Sequence, residues 1–219
     1  MSEKPTRILC LGGGWASIYF VRQMQSAIKK KKVDITVVSK DNFHTFHGFI
    51  GEMLVGRVQP STIVNPARRI FPNARFYNAD VEGIDVKSQT VTTSRKLDGR
   101  QYVLEYDHLL VGIGSVDDLS RYPGIAEHAL RLKTYWDCFK VRNHILSMLE
   151  MAEIEEDPAE RRRLLTFVIV GGGFGGVEVA SELQDHVKQL AKKEYPRLRP
   201  EEVRVMIVHS GPRILPELL

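Results

Sequence analysis

Gly171, Gly173 and Gly176 stand in the spacing G-x-G-x-x-G, with Phe174 and Gly175 between the second and third glycines. That spacing serves the holding of a pyrophosphate. The first glycine permits a tight turn, the second lets phosphates approach the backbone, and the third lets helix and strand pack closely. The phosphates then meet exposed N–H groups at the positive end of a helix dipole. Upstream, Gly12-Gly13-Gly14-Trp15-Ala16-Ser17 carries the same pattern with serine in place of the third glycine. Serine is small, so close packing survives with a slight separation, and its hydroxyl has backbone groups within reach. Two dinucleotide sites are therefore expected.

Other residues bear on the same chemistry. Glu178 lies two residues past the last glycine, which makes it a candidate proton handler. With Glu182 one turn on, it also fits an ordinary solvated helix face. The second strand of such a unit normally ends in Asp or Glu, which binds a ribose hydroxyl. Here those places hold Ser39, followed by Lys40, and His209. A serine still hydrogen-bonds a ribose. Without a carboxylate at His209, a 2′-phosphate is not repelled, and Arg213 lies a short loop away to pair with it. NADPH use and weaker NADH binding both fit. His44 and His47 are three residues apart with no carboxylate or thiolate cluster beside them, so a packed aromatic loop is expected rather than a metal site.

The surrounding elements place these residues. Ile8 to Leu11 is a continuous apolar run of the kind a buried parallel strand shows, and it stops at the glycines. Ile18, Val21, Met24 and Ile28 follow at helical spacing, and Val33 to Val38 gives the next strand, completing a βαβ unit. Residues 40–60 read as irregular, and a short helix is expected from Pro60 to Ile70. Arg75–Tyr77, Gln89–Thr92 and Tyr102–Leu104 read as short strands of a small antiparallel meander, with a hairpin signal at Asp98-Gly99. His108 to Val111 is another buried strand, ending at Gly112-Ile113-Gly114. Thr134 to Glu153 reads as one long helix, and the charged run from Glu153 to Arg163 as an exposed connection. Then the opening pattern returns: strand Phe167–Val170, glycine turn, a helix with Gly176, Ala180, Leu183, Val187 and Leu190 on one face, and strand Val203–Val208.

Composition excludes several classes. Apolar and charged fractions of 43% and 26% describe a globular chain, neither disordered nor fibrous. A formal net charge of +4 is too mild for a nucleic-acid binder, and the Lys29–Lys32 cluster suits a helix C-terminus. Two distant cysteines, Cys10 and Cys138, form no C-x-x-C and no disulfide framework. The polar start of the chain does not read as a signal peptide. The longest apolar stretch, Leu164 to Ala180, contains five glycines and does not read as a membrane span.

Together these segments resemble the two-dinucleotide flavoproteins, most closely the type II NADH dehydrogenases, the single-chain NADH:quinone oxidoreductases. The resemblance is carried by Arg7 to Gly14, Asp41 to Phe46, Tyr106 to Ser115, Pro123 to Ala129, Leu132 to Thr134, Arg142 to Leu146, Arg161 to Phe167, the second glycine loop and Gly211 to Pro216. It implies an α/β fold of two Rossmann-like units: an FAD unit with a small meander over 1–122, a connecting helix and charged linker over 123–163, and a partial NAD(P) unit over 164–219. It places FAD on Gly12, Gly13, Gly14, Trp15, Ser17, Ser39, Lys40, Val81, Gly112, Ile113 and Gly114. It places NAD(P)H on Gly171, Gly173, Phe174, Gly175, Gly176, His209 and Arg213, with Glu178 as the catalytic residue near the nicotinamide. The implied reaction is hydride transfer from NAD(P)H to FAD, then electron delivery to a quinone or similar acceptor. A cytoplasmic location follows, together with a homodimer and peripheral membrane docking through a C-terminal part beyond these residues.

Ser17, Ser39, Gly112-Ile113 and His209 depart from the family's usual residues, and the loop from His47 to Leu54 lacks its usual Gln-Pro-Leu-Leu-Tyr run. The departures point to a divergent branch with another electron acceptor, or to a nucleotide-binding module without turnover. The absence of C-x-x-C separates the chain from the dithiol-using reductases. Two distant cysteines also fall short of the set that sulfide:quinone oxidoreductases need. A nucleotide-binding half normally has a βαβαβ set, and the second half here stops at βαβ. A truncated longer flavoprotein is therefore expected, with an unpaired edge at Val203–Val208.

Overall fold

The computed structural model describes residues 4–120, 122–216 and 218. Along the chain it forms β1 (Thr6–Leu11), α1 (Trp15–Gln23), α2 (Gln25–Lys29), β2 (Val33–Ser39) and β3 (Phe43–Thr45). Next come α3 (Ile50–Leu54), α4 (Pro60–Ile63), β4 (Val64–Pro66), α5 (Ala67–Ile70) and β5 (Arg75–Asn78). Three strands β6 (Asp80–Asp85), β7 (Thr90–Ser94) and β8 (Gln101–Glu105) precede β9 (His108–Val111). The remainder is α6 (Ile125–His128), α7 (Tyr135–Ile154), α8 (Pro158–Leu164), β10 (Thr166–Val170), α9 (Phe174–Glu194) and β11 (Arg204–Val208). Two compact units result: Met1–Thr45 with Val64–Val116, and Phe46–Ile63 with Asp117–Leu219.

The first unit is built on a parallel sheet in the order β5-β2-β1-β9. Its two faces explain the unbroken apolar run of β1. Ile8 and Cys10 pack with Ile18 and Val21 of α1, Ile35 and Val37 of β2, and Phe71 and Phe76. Leu9 and Leu11 point the other way, onto Val38, Ala79, Val91 and Tyr106. A strand covered on both faces has no position left for a polar residue.

Three expectations are corrected here. Arg75–Tyr77 does not belong to the meander. It is β5, held in the parallel sheet because Phe76 is buried and stacks on Phe71 at 6.1 Å while Arg75 pairs with Asp34 of β2. The meander is β6-β7-β8, and its first strand, Asp80–Asp85, is largely exposed and lacks the apolar alternation that marks a strand in sequence. The helix expected over Pro60–Ile70 is broken by β4, which pairs antiparallel with β3. That pairing also gives order to the nominally irregular 40–60 region, where α3 buries Ile50, Met53 and Leu54. Asp98-Gly99 does turn the β7–β8 hairpin, with Gly99 at φ +66°.

An ion-pair clamp starts the sheet. Asp107, just before β9, accepts from the Arg7 backbone N–H at 2.7 Å and from Arg7 Nη2 at 2.8 Å, and Glu105 also pairs with Arg7. The Arg7 guanidinium holds the Asp107 carboxyl well below its ordinary value, at about 2. An unfolded aspartate titrates near ~3.9. The stabilisation is therefore complete above that value and is lost as pH falls toward Asp107's own midpoint. The difference in urea midpoint between wild type and Asp107→Asn should shrink steadily between pH 5 and pH 2. A constant difference would show that the clamp's charge is irrelevant.

In the second unit, α7 starts at a reciprocal cap. The Asp137 N–H donates to Thr134 Oγ1 at 3.1 Å and the Thr134 N–H donates to Asp137 Oδ2 at 2.8 Å. Within the charged run, Asp157 caps the Ala159 N–H at 3.0 Å and Pro158 opens α8. The long helix α9 buries Ala180, Leu183, Val187 and Ala191, one stripe at helical spacing. Parallel β10 and β11 flank it in a two-stranded sheet. Among the described residues, no helix is long and apolar enough to cross a membrane.

Candidate functional site

Both glycine loops leave a parallel strand in the same way. The Gly12 N–H donates to Val38 O at 2.8 Å, and the Gly171 N–H donates to Val208 O at 2.8 Å. Each first glycine lies at positive φ, +99° for Gly12 and +119° for Gly171, a conformation that side chains disfavour. Each loop then opens a helix whose N-cap, Gly14 or Gly173, makes no side-chain capping bond.

In the first unit the loop is closed in by its neighbours. A Cβ on Gly12 would lie 2.1 Å from Gly112 O, and one on Gly13 would lie 2.9 Å from Ser39 Oγ. Over Gly14 and Gly114 the space is open. Ser17 is buried, and its Oγ donates to Gly12 O at 2.6 Å, so the serine ties the helix to the turn that a third glycine would have let pack closer. Ser39 ends β2, and Asn78 Nδ2 bonds the Ser39 and Lys40 carbonyls at 3.0 and 2.9 Å. Ile113 is exposed. Trp15 is half-exposed, stacks on Tyr19 at 5.7 Å and meets the edge of buried His44 at 4.7 Å. The structure thus gathers Gly12, Gly13, Gly14, Trp15, Ser17, Ser39, Lys40 and Gly112 to Gly114 at the carboxyl ends of β1, β2 and β9, where open α/β sheets bind ligands. Val81 lies just past the carboxyl end of β5, beside an irregularity in the β6–β7 pairing.

In the second unit, a Cβ on Gly176 would lie 2.0 Å from Gly171 O, while the space over Gly171 and Gly175 is open. Phe174 is exposed. The segment after β11 folds back over the loop: Leu215 N–H donates to Gly172 O at 2.7 Å and Gly172 N–H donates to His209 Nδ1 at 3.2 Å. His209 therefore sits against the glycine turn, with exposed Arg213 in the same loop.

Glu178 has neighbours that the sequence did not signal. Its Oε1 is 3.1 Å from where a Cβ of Gly51 would be. Burial, then the charges of Glu52 and Glu182, push the Glu178 carboxyl up. Glu182 is not on a freely solvated face: Arg57 Nη1 lies 2.8 Å from both of its oxygens. One turn on, His186 is pulled down by burial and by Arg142 and Arg57. Gly51, Glu52 and Arg57 are more than 120 residues from Glu182 in sequence, and no local motif marks them.

The sequence pattern of the pyridine nucleotide-disulphide oxidoreductases matches residues 6–219. The chain belongs to this family. Among its relatives, the type II NADH:quinone oxidoreductase NdhA of Mycobacterium tuberculosis is 33% identical over 97% of the chain and 44% of the relative. The external NADH-ubiquinone oxidoreductase 2 of Saccharomyces cerevisiae mitochondria is 32% identical over 97% of the chain and 39% of the relative. The chain thus spans less than half the length of either. The structure of NDH2 from Plasmodium falciparum in complex with NADH superposes with a TM-score of 0.87 at 22% identity, covering 98% of this chain and 43% of that one. The resemblance to type II NADH dehydrogenases and the α/β fold of Rossmann-like units are both borne out. Within this family the chain's cysteines are unsuited to dithiol chemistry. Both are buried, and burial pushes the Cys10 thiol up to about 12 and the Cys138 thiol to about 11, so neither is a thiolate near neutrality.

Proposed function

We propose that this chain carries the FAD and NAD(P)H loops of an NAD(P)H:quinone oxidoreductase. The observation that carries the proposal is the pair of equivalent glycine turns, each locked by the same N–H bond and each opening onto an uncapped helix N-terminus. The open space over Gly14 and Gly175 suits a pyrophosphate close to the backbone, and the donors there suit an anion. Gly12, Gly13 and Gly14 would hold the FAD phosphates, with Ser39 and Lys40 at its ribose, Val81 at its adenine and Gly112, Ile113 and Gly114 along its ring. Gly171, Gly173, Gly175 and Gly176 would hold those of NAD(P)H. When bound, the two cofactors supply the hydride and electron chemistry. Ser17 keeps the first turn anchored through Gly12 O. Glu178 holds a proton at its carboxyl for delivery to the reduced acceptor.

The relatives named as quinone and ubiquinone oxidoreductases support a quinone as acceptor. Flavin loading tests the reading. After mixing with FAD and removal of the unbound flavin, the chain should stay yellow, and NADH or NADPH should bleach it. A chain that takes up no flavin would overturn the flavoenzyme in favour of a nucleotide-binding module, and a loaded chain that no nicotinamide bleaches would do the same.

His209 and Arg213 bear on the choice of nicotinamide. With no carboxylate at the strand end and Arg213 in the loop, NADPH should be accepted. Arg213→Ala should raise KM for NADPH several-fold more than KM for NADH. An equal rise in both would remove Arg213 from 2′-phosphate recognition.

A further inference from the structure

Glu178 stands at the second turn of α9, and the element beside it is α3. Gly51 of α3 lies against it: with no side chain there, the Glu178 carboxyl reaches a place that a Cβ would crowd at 3.1 Å. The next residue, Glu52, keeps one carboxylate oxygen, Oε2, buried and without a hydrogen-bond partner. The third carboxylate, Glu182, is paired with Arg57, which leaves α3 through Gly56 at φ +77°. Arg142 of α7 lies against Gly56, and His186 is one turn past Glu182 on α9. Other charged groups on elements packed against α9 are Arg204 of β11, Glu201 and Glu202 in the turn before it, and Glu150 of α7, which accepts from Tyr195 at the C-terminal end of α9. Arg204 and the two glutamates before it sit at the end of the βαβ unit where β10 starts, and Glu150 at the far end of α9, all away from Glu178.

We infer that α3 is the positioning element for the proton of Glu178: Gly51 gives the carboxyl its place, Glu52 supplies the negative charge that keeps the proton on it, and Arg57 limits the effect by partly offsetting Glu182. The inference rests on the reading of Glu178 as a proton handler and deepens it. The physical basis is that a carboxylate near another carboxylate, partly withdrawn from water, binds its proton more tightly, and a cation beside one of the two relieves that pressure. Burial and the charge of Glu52 both act on Glu178 in that direction.

The test is the side-chain carboxyl titration of Glu178, followed by NMR on the 219-residue chain labelled at glutamate Cδ. Glu52→Gln keeps the side chain's size and removes its charge, so the Glu178 midpoint should fall. Gly51→Ala displaces the carboxyl toward water and should lower it too. Arg57→Gln frees the charge of Glu182 and should raise it. An unchanged midpoint in Glu52→Gln, or a fall in Arg57→Gln, would overturn the inference. If Gly51→Ala fails to fold, the opposite signs of the other two variants still decide. The titration is independent of turnover. A Glu178 that titrates as expected in a chain whose Glu178→Gln variant keeps full quinone turnover would sink the proton-handling reading while leaving the α3 effect intact.

Discussion

Gly176→Ala should cost at least about 3 kcal/mol of stability, the upper end for forcing an extra carbon into a packed site. The new Cβ would lie 2.0 Å from Gly171 O, and the obstacle is backbone on a turn at φ +119°, which has no rotamer to give. Relief requires α9 to move off β10, which exposes the Ala180, Leu183 and Val187 stripe. A urea titration followed by circular dichroism reads the loss, and a midpoint equal to wild type would show that helix and strand are not in close contact there. Gly175→Ala is the informative partner. Its Cβ meets open space, and alanine gains about 0.5–1 kcal/mol over glycine inside a helix. The fold should hold while NAD(P)H affinity falls, because the space filled is the space assigned to the phosphates. Gly12→Ala repeats the first experiment in the other unit, with a 2.1 Å approach to Gly112 O and φ +99° acting together.

On the proposed function, Glu178→Gln should slow quinone reduction by ~10²–10⁴-fold, the range in which a positioned acid or base contributes. Bleaching of the bound flavin by NAD(P)H should be nearly unchanged, since that step moves a hydride and needs no proton from this carboxyl. Glutamine keeps the shape opposite Gly51 and removes only the titrating proton. The pH dependence follows from the direction of the shift. Because the folded carboxyl holds its proton more tightly than an unfolded glutamate, its contribution to stability is complete below the ordinary carboxylate range and fades as pH rises through the Glu178 midpoint. The wild-type rate should fall across that same midpoint as the acid form is lost. Stopped-flow absorbance separates the two half-reactions. Equal losses in both would place Glu178 in nicotinamide binding rather than in proton delivery.

Much of this molecule is legible along the chain because its signals are local. A strand covered on both faces is apolar over its buried run, so Ile8–Leu11 of β1 announces itself, and the β-branched Val33–Val38 marks β2. Glycine is required wherever a Cβ would strike a carbonyl, which is the case at Gly12 after β1 and at Gly176 in the first turn of α9. The hydroxyl of Ser17 finds the backbone acceptor that its size and position suggested. The long α7 carries its Thr134–Asp137 cap in the sequence itself.

The rest depends on partners far away in the chain. Arg75–Tyr77 and the residues of the meander look alike as short strands. What assigns β5 to the parallel sheet is the burial of Phe76 on Phe71 and the pairing of Arg75 with Asp34. Pro60 to Ile70 looks helical until β4 finds β3. Glu178 and Glu182 look like an ordinary helix surface, and only the packing of Phe46–Ile63 into the second unit brings Gly51, Glu52 and Arg57 to them. The sequence by itself determined the two glycine turns, because the positive φ that each first glycine needs is a local property of the chain. The tertiary structure decided the electrostatic setting of Glu178, because charge acts through space and the charges that matter come from a segment remote in sequence.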